Sequence, residues 1–176
     1  MRNKKIIAVI GLMGVGKSTI GAKLAKKLKC YFIDCDCEIE DREGKTIREI
    51  FAQNGEKYFR QVEKKIIKEI ILRDEEIVLS LGGGAFVDDE IRKILKEKTF
   101  TIWLHARIDV ILQRIGNKIT RPLLNQGNKR DVLEELAANR YPAYSEADFK
   151  FDTSNENHDS LIKKIIKSIN SLKNAK

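Results

Sequence analysis

Cysteine and histidine are scarce in this chain: three and two respectively among 176 residues. The cysteines, Cys30, Cys35 and Cys37, are odd in number and bunched in one short stretch. An odd count in a chain without a secretory leader argues for free thiols, which excludes a disulfide-built scaffold. The histidines, His105 and His158, lie far from the cysteines in sequence, and no pair of C-x-x-C knuckles occurs. A structural zinc site is therefore excluded as well. No apolar run is long enough to cross a bilayer, and no cleavage signal follows the basic start "MRNKK". Internal repeats, low-complexity tracts and linkers are also missing. The expectation is one soluble, cytoplasmic domain over residues 1–176.

What the chain does have is charge and a core. Hydrophobic residues make up 42% of it, enough for a real interior, and 34 Lys+Arg against 26 Asp+Glu leave a net charge of +8. The lysines are dispersed and mixed with glutamates, as in "KLAKKLK" and "EKKIIKE", which is how solvated helix faces read. A concentrated basic patch for nucleic acid is not seen, and no membrane partner is expected. The positive sign still favours small polyanionic ligands.

Short apolar runs at Lys5–Ile10, Tyr31–Ile33, Ile77–Leu79, Thr99–Leu104 and Phe149–Phe151 alternate with segments of helical spacing. In Glu56–Leu72 the residues Phe59, Val62, Ile66 and Ile70 share a face, and near the end Leu161, Ile165, Ile169 and Leu172 do the same. That last basic helix suits docking on the core better than lying on a membrane surface. Five strands alternating with helices imply an α/β fold: a parallel five-stranded sheet covered on both faces, with sites at the strands' C-terminal edge.

The first strand runs into "GLMGVGKST". The spacing from Gly11 to Gly16-Lys17-Ser18 is the glycine-rich loop that joins a strand to a helix and cradles phosphates with its backbone N–H groups. Lys17 would reach the terminal phosphates and the Ser18 hydroxyl would bind Mg²⁺. Downstream, Ile20, Leu24, Ala25 and Leu28 fall on one face of the helix this loop starts. After the second strand comes "DCD", whose Asp34 and Asp36 occupy alternate positions at the strand end. One carboxylate suits the Mg²⁺ shell and the other an acceptor hydroxyl. After the third strand Gly82, Gly83 and Gly84 suggest close ligand approach to backbone. The strand-end Asp common in phosphate-loop enzymes is missing there, with Ser80 near its place, so Asp34 becomes the candidate for magnesium. Arg60 and Arg140, on spacing alone, read as helix-surface charges. Gly116–Arg130, basic and without apolar periodicity, reads as a mobile lid beside a phosphate site.

Taken in order, "GLMGVGKST", "FIDCDCEIE", "IREIFAQNGEKYFRQVE", "LSLGGGA", "RPLL" and "NRYPAY" resemble the shikimate kinases over Ile6–Asp152. The resemblance implies a three-layer phosphate-loop fold of the nucleoside-monophosphate-kinase type with a mobile lid at about 116–130. It implies Mg²⁺-dependent transfer of the ATP γ-phosphoryl group to the 3-hydroxyl of shikimate, in chorismate biosynthesis, by a monomer. Gly14, Val15, Gly16, Lys17, Ser18 and Thr19 would hold ATP. Asp36 would bind the reacting hydroxyl and Asp34 would stand near Mg²⁺. Arg60 and Arg140 would clamp the shikimate carboxylate, with Glu63 supporting Arg60 and Gly82, Gly83 and Gly84 beside it. Arg121 would be the lid arginine, catalytic together with Lys17 and Asp36, and Arg114 would stack on adenine. Phe51, Phe59 and Leu123 would line the acceptor pocket. The chain departs from the family pattern at "FDTSNENHDS", where some members carry arginine and proline facing adenine; Asn155 is the polar substitute. Gluconate kinases, nucleoside-monophosphate kinases and nucleotide-operated switch proteins are the competing readings of the same loop.

Overall fold

The computed structural model describes residues 5–116 and 128–174. Its strands are β1 (Ile6–Ile10), β2 (Tyr31–Asp34), β3 (Ile77–Ser80), β4 (Thr99–His105) and β5 (Phe149–Asp152), each within a residue or so of the apolar runs. They form one sheet in the order β2-β3-β1-β4-β5, and every pairing is parallel. β1 and β3 are buried at every position, because helices cover both faces of a parallel sheet. β5 at one edge, Phe-Lys-Phe-Asp, alternates half-buried and exposed instead.

The helices are α1 (Lys17–Leu28), α2 (Cys35–Glu43), α3 (Ile47–Ile71), α4 (Asp89–Lys98), α5 (Ile108–Ile115), α6 (Lys129–Tyr144) and α7 (His158–Asn174). Strand alternation separates them into layers. Lys173 of α7 lies over the Phe100 ring, whereas Tyr141 and Tyr144 of α6 pack on Trp103, an odd number of positions along β4. α7 and α6 therefore cover opposite faces, and α1 packs with α7. In α7, Leu161, Ile165 and Ile169 are buried and Leu172 packs partly against the core. Core docking is what this helix does. Among the described residues, no helix is long and apolar enough to cross a membrane.

Helix ends are set by local chemistry. Thr46 and Glu49 form a reciprocal capping box at the start of α3. Asp88 caps α4 by accepting from the Ile91 N–H at 3.0 Å. The periodic segment expected to begin at Glu56 is the second part of α3, because Gly55 (φ 79°, ψ 172°) breaks the helix there. Asp36 also differs from expectation. β2 stops at Asp34, whose carboxylate accepts from the Asp36 N–H at 3.1 Å and starts α2, so Asp36 sits in a first helical turn rather than along a strand. The lid boundary changes too: α6 begins at Lys129 under an Asn128 cap, so Lys129 and Arg130 are helical, and Lys129 Nζ donates to the Gly116 carbonyl at 2.9 Å. The rest of that segment, with Arg121 and Leu123, lies outside the described residues.

The three cysteines remain free thiols in unlike settings: Cys35 is buried, Cys30 half-buried and Cys37 exposed. Burial and then the neighbouring carboxylates, Glu63 first, push the Cys35 thiol well above its ordinary range. It is a core side chain.

Two glycines with positive φ test the fold differently. A Cβ on Gly11 (φ 146°) would sit 2.3 Å from the Leu104 carbonyl oxygen in β4, whereas a Cβ on Gly55 would meet nothing within 4 Å. Gly55→Ala should cost only its backbone strain, about 1–3 kcal/mol. Gly11→Ala adds overpacking against rigid backbone, for a total of roughly 2–5 kcal/mol. Urea denaturation of both variants checks this; equal losses would mean that Leu104 yields freely.

Candidate active site

The C-terminal ends of β1, β2 and β3 lie along one edge of the parallel sheet, and each strand delivers a different part of the candidate site. From β1 the chain enters the phosphate loop and then α1. Lys17 is buried beneath this loop, with Nζ donating to the Gly11 and Leu12 carbonyls at 3.0 Å each. Gly14, Val15 and Gly16 form the turn, and Ser18 and Thr19 are exposed at the start of α1. A Cβ on Gly14 would press on Ile111 and Ile115 of α5 at 3.1 and 2.9 Å, so the loop rests directly on that helix.

β2 brings Asp34 to the loop. The Ser18 hydroxyl donates to Asp34 Oδ2 at 2.5 Å, while Oδ1 takes the Asp36 N–H. A hydroxyl and a carboxylate oxygen meeting at a phosphate loop are the hard donors a Mg²⁺ ion takes, with water and phosphate completing its shell. Among the described residues no group of three or more His, Cys, Asp or Glu side chains forms a metal site. The oxygen pair supplies two donors of the kind such an ion takes.

β3 brings Gly82, Gly83 and Gly84, with the Leu81 N–H held by the Val9 carbonyl at 3.0 Å. None of the three has a positive φ. Their lack of a side chain is used for close approach. A Cβ on Gly82 would lie 2.6 Å from Glu63 Oε1 and 2.9 Å from Asp36 Oδ1. On Gly83 it would lie 2.5 Å from Arg140 Nη1, and on Gly84 it would lie 2.5–2.6 Å from the Arg60 guanidinium. Asp36 from α2, Arg60 and Glu63 from α3, and Arg140 from α6 thus converge on one tripeptide. The arginines are not the solvated helix charges that spacing alone suggested: Arg140 is buried and Arg60 about one-third exposed at its side chain.

Charge pairing holds the cluster. Arg60 Nη1 donates to Glu63 Oε2 at 2.7 Å, and Nε and Nη2 reach Glu56 at 3.3 and 3.2 Å. Burial opposes the Arg60 charge, but Glu63 and Glu56 outweigh it and hold the guanidinium above its usual range. Glu63 is 2% exposed, and its Oε1 has no hydrogen-bond partner among the described residues. Burial raises its carboxyl above the ordinary value, against the opposing pull of Arg60. Phe51 and Phe59, half-buried and buried, pack at 4.8 Å between ring centres beneath Arg60. Sequence reasoning missed Tyr144: fully buried, it donates to the Gly83 carbonyl, and burial pushes its hydroxyl up to about 12. The motif "NRYPAY" contains it, but its tyrosines carry no mark of which one points inward.

Arg114 and Asn155 lie on the other side of the phosphate loop. Arg114 donates from Nη1 to Thr153 Oγ1 at 3.0 Å and from Nη2 to the Thr153 carbonyl. Asn155 is exposed and accepts from Arg107 at 3.4 Å. Arg107 and Thr153 are further residues that the sequence did not single out.

Sheet order, phosphate loop and oxygen pair define a phosphate-loop α/β protein of the small-molecule kinase type. The shikimate kinase family model matches residues 13–170. The shikimate kinase of Zymomonas mobilis subsp. mobilis is 43% identical over 165 residues, 94% of this chain and 93% of that protein. The solved structure of shikimate kinase from Acinetobacter baumannii in complex with shikimate superposes with a TM-score of 0.92 at 35% identity, covering 98% of this chain and 96% of that one. A gluconokinase from Sinorhizobium meliloti 1021 aligns over 98% of this chain and 95% of its own with a TM-score of 0.63 at 16% identity, a likeness of fold alone. The chain belongs to the shikimate kinase family.

The raised Glu63 carboxyl has a stability consequence whose sign is fixed by linkage. The folded protein holds this proton more tightly than the unfolded chain, so the associated stability is fully present below the unfolded value of 4.5 and is lost as pH rises through the folded value. Melting temperatures of wild type and Glu63→Gln, compared across acidic to neutral pH, should shift increasingly in favour of Gln as pH rises. A difference trending the other way would mean that pairing with Arg60 outweighs burial.

Proposed function

We propose that the chain is an ATP-dependent shikimate kinase, transferring the γ-phosphoryl group of ATP to the 3-hydroxyl of shikimate to give 3-phosphoshikimate and ADP. The observation that carries this reading is the convergence on Gly82, Gly83 and Gly84. Two guanidinium groups and an aspartate meet there, just past the strand that pairs with β1. Forked arginines suit a planar carboxylate, and lysine could not copy that geometry. A hydroxylated carboxylate held by Arg60 and Arg140 would place a hydroxyl at Asp36. An aspartate carboxylate there can take the hydroxyl proton or orient it as the bond to phosphorus forms.

On the donor side, Gly14, Val15, Gly16 and Thr19 would surround the phosphates, and Lys17 would exchange its loop carbonyls for them. Ser18 and Asp34 would hold Mg²⁺, which when bound neutralises phosphate charge. Phosphoryl transfer through a loose transition state needs such positioning more than a strong base. Arg114 and Asn155 would face the adenine. Phe51 and Phe59 would form the floor of the acceptor pocket, with Leu123 and the catalytic Arg121 supplied from the segment outside the described residues. The protein would act as a cytoplasmic monomer built of one domain, in aromatic amino-acid biosynthesis.

Incubation with MgATP and shikimate, gluconate or a nucleoside monophosphate should release ADP rapidly with shikimate only. Comparable turnover with gluconate, or release independent of acceptor, would overturn the assignment. Arg60→Ala and Arg140→Ala should each weaken shikimate binding by about 2–5 kcal/mol while MgADP binding stays near wild type. Gly84→Ala should imitate Arg60→Ala, since the new methyl displaces the guanidinium, a flexible chain end, and leaves the fold intact. Asp36→Asn should bind both substrates and lose roughly 10²–10⁴ in kcat. Wild-type shikimate affinity in both arginine variants would remove them from the acceptor site.

A further inference from the structure

Two hydrogen bonds meet at one buried hydroxyl behind the phosphate loop. Thr153 follows β5 directly and is 2% exposed. Its backbone N–H donates to the His105 carbonyl at 2.7 Å, which continues the pairing of β5 with β4 and fixes the residue in place. Its Oγ1 lies 3.0 Å from Arg114 Nη1 and 3.0 Å from the Val15 carbonyl oxygen. A guanidinium can only donate, so the single hydroxyl proton goes to Val15. The direction of the relay, Arg114 to Thr153 to Val15, is therefore set by chemistry.

The carbonyl at the end of this relay matters for the loop. No peptide among the described residues is cis, so the Val15 C=O and the Gly16 N–H point in opposite directions within one peptide plane. Tying the carbonyl back turns the Gly16 N–H away from Thr153, to the side where the loop's amides cradle an anion. Gly16 has φ 96° and no side chain, so on its side little resists rotation of that peptide plane. The bond from Thr153 supplies the resistance. The same hydroxyl also fixes Arg114 on α5, the helix on which Gly14 rests.

We propose that Thr153 is a positioning residue for the nucleotide: its hydroxyl holds the Arg114 guanidinium and the Val15–Gly16 peptide in one arrangement, joining the base side of the site to the phosphate side. This inference rests on the reading of Arg114 and the phosphate loop as a nucleotide site. Removing the hydroxyl leaves a buried carbonyl and a guanidinium N–H without their partner, and should weaken nucleotide binding by about tenfold.

Calorimetric titration with MgADP, together with KM for ATP and for shikimate, tests this on wild type, Thr153→Val, Thr153→Ser, Arg114→Met and the double variant Thr153→Val/Arg114→Met. Thr153→Val should lose MgADP affinity and raise KM for ATP with KM for shikimate unchanged. Thr153→Ser, which keeps the hydroxyl, should restore both. The double variant should lose less than the product of the two single losses, because Thr153 acts partly through Arg114. Wild-type MgADP affinity in Thr153→Val overturns the inference. So does an equal loss for both substrates, failure of Ser to restore, or fully multiplicative losses in the double variant. Should Thr153→Val not fold, Thr153→Ala takes its place against Thr153→Ser. MgADP binding needs no acceptor, so a wild type that leaves shikimate unphosphorylated overturns the functional reading while the variant series still decides the role of Thr153.

Discussion

The absence of side chains just past β3 is the constraint on which the proposed acceptor half of the site depends. Asp36, Arg60, Glu63 and Arg140 come from three helices, and each has an atom where a Cβ on Gly82, Gly83 or Gly84 would stand. The tripeptide acts as a template for three helices at once, because the distances of approach leave no room for a methyl group unless the facing side chain moves. The arrangement concentrates charge in a poorly solvated place, which is costly unless each group is paired. Glu63 answers that cost for Arg60, and Tyr144 ties the Gly83 carbonyl from below. Glu63 Oε1 has no hydrogen-bond partner among the described residues.

The phosphate half is built on a different principle. Its loop is shaped by what it lies against: Gly11 passes the Leu104 carbonyl with no room for a side chain, and Gly14 rests on Ile111 and Ile115. The two halves share β1, since the Leu81 N–H is bound to the Val9 carbonyl just before the phosphate loop begins. The proposed donor and acceptor sites are thus mounted on adjacent hydrogen-bonded strands. Transfer between two bound molecules gains most from this kind of rigidity, because a misplacement of about 1 Å can cost some 10²-fold in rate.

Much of this architecture is legible in the order of residues alone. Buried parallel strands read as continuous apolar runs, so β1 and β3 stand out, and the phosphate loop is a local pattern of glycines, lysine and hydroxyl within a single turn of chain. Helix faces in α1, α3 and α7 follow from a period of 3.6 residues. Local rules are also enough to misplace details. Asp34 and Asp36 look like alternate strand positions, yet the Asp34 carboxylate starts a helix, and strand end and helix start compete over one or two residues. Gly55 inside α3 and the early start of α6 are hidden from such rules because breaks and caps depend on a single side chain, not on a repeating pattern.

By itself the sequence determined the class of fold, the phosphate site and, through an ordered set of motifs, the family. These rest on periodicity and on short spacings that survive without knowledge of the surroundings. Only the tertiary structure decided which side chains crowd the glycines after β3, that Arg140 is buried and Arg60 pairs with Glu63, and that Thr153 reaches Val15 across 138 positions of chain. Such contacts join residues whose neighbours in sequence say nothing about one another. A lone threonine after a strand has no period and no motif, and its partner is chosen by how the strands and helices pack.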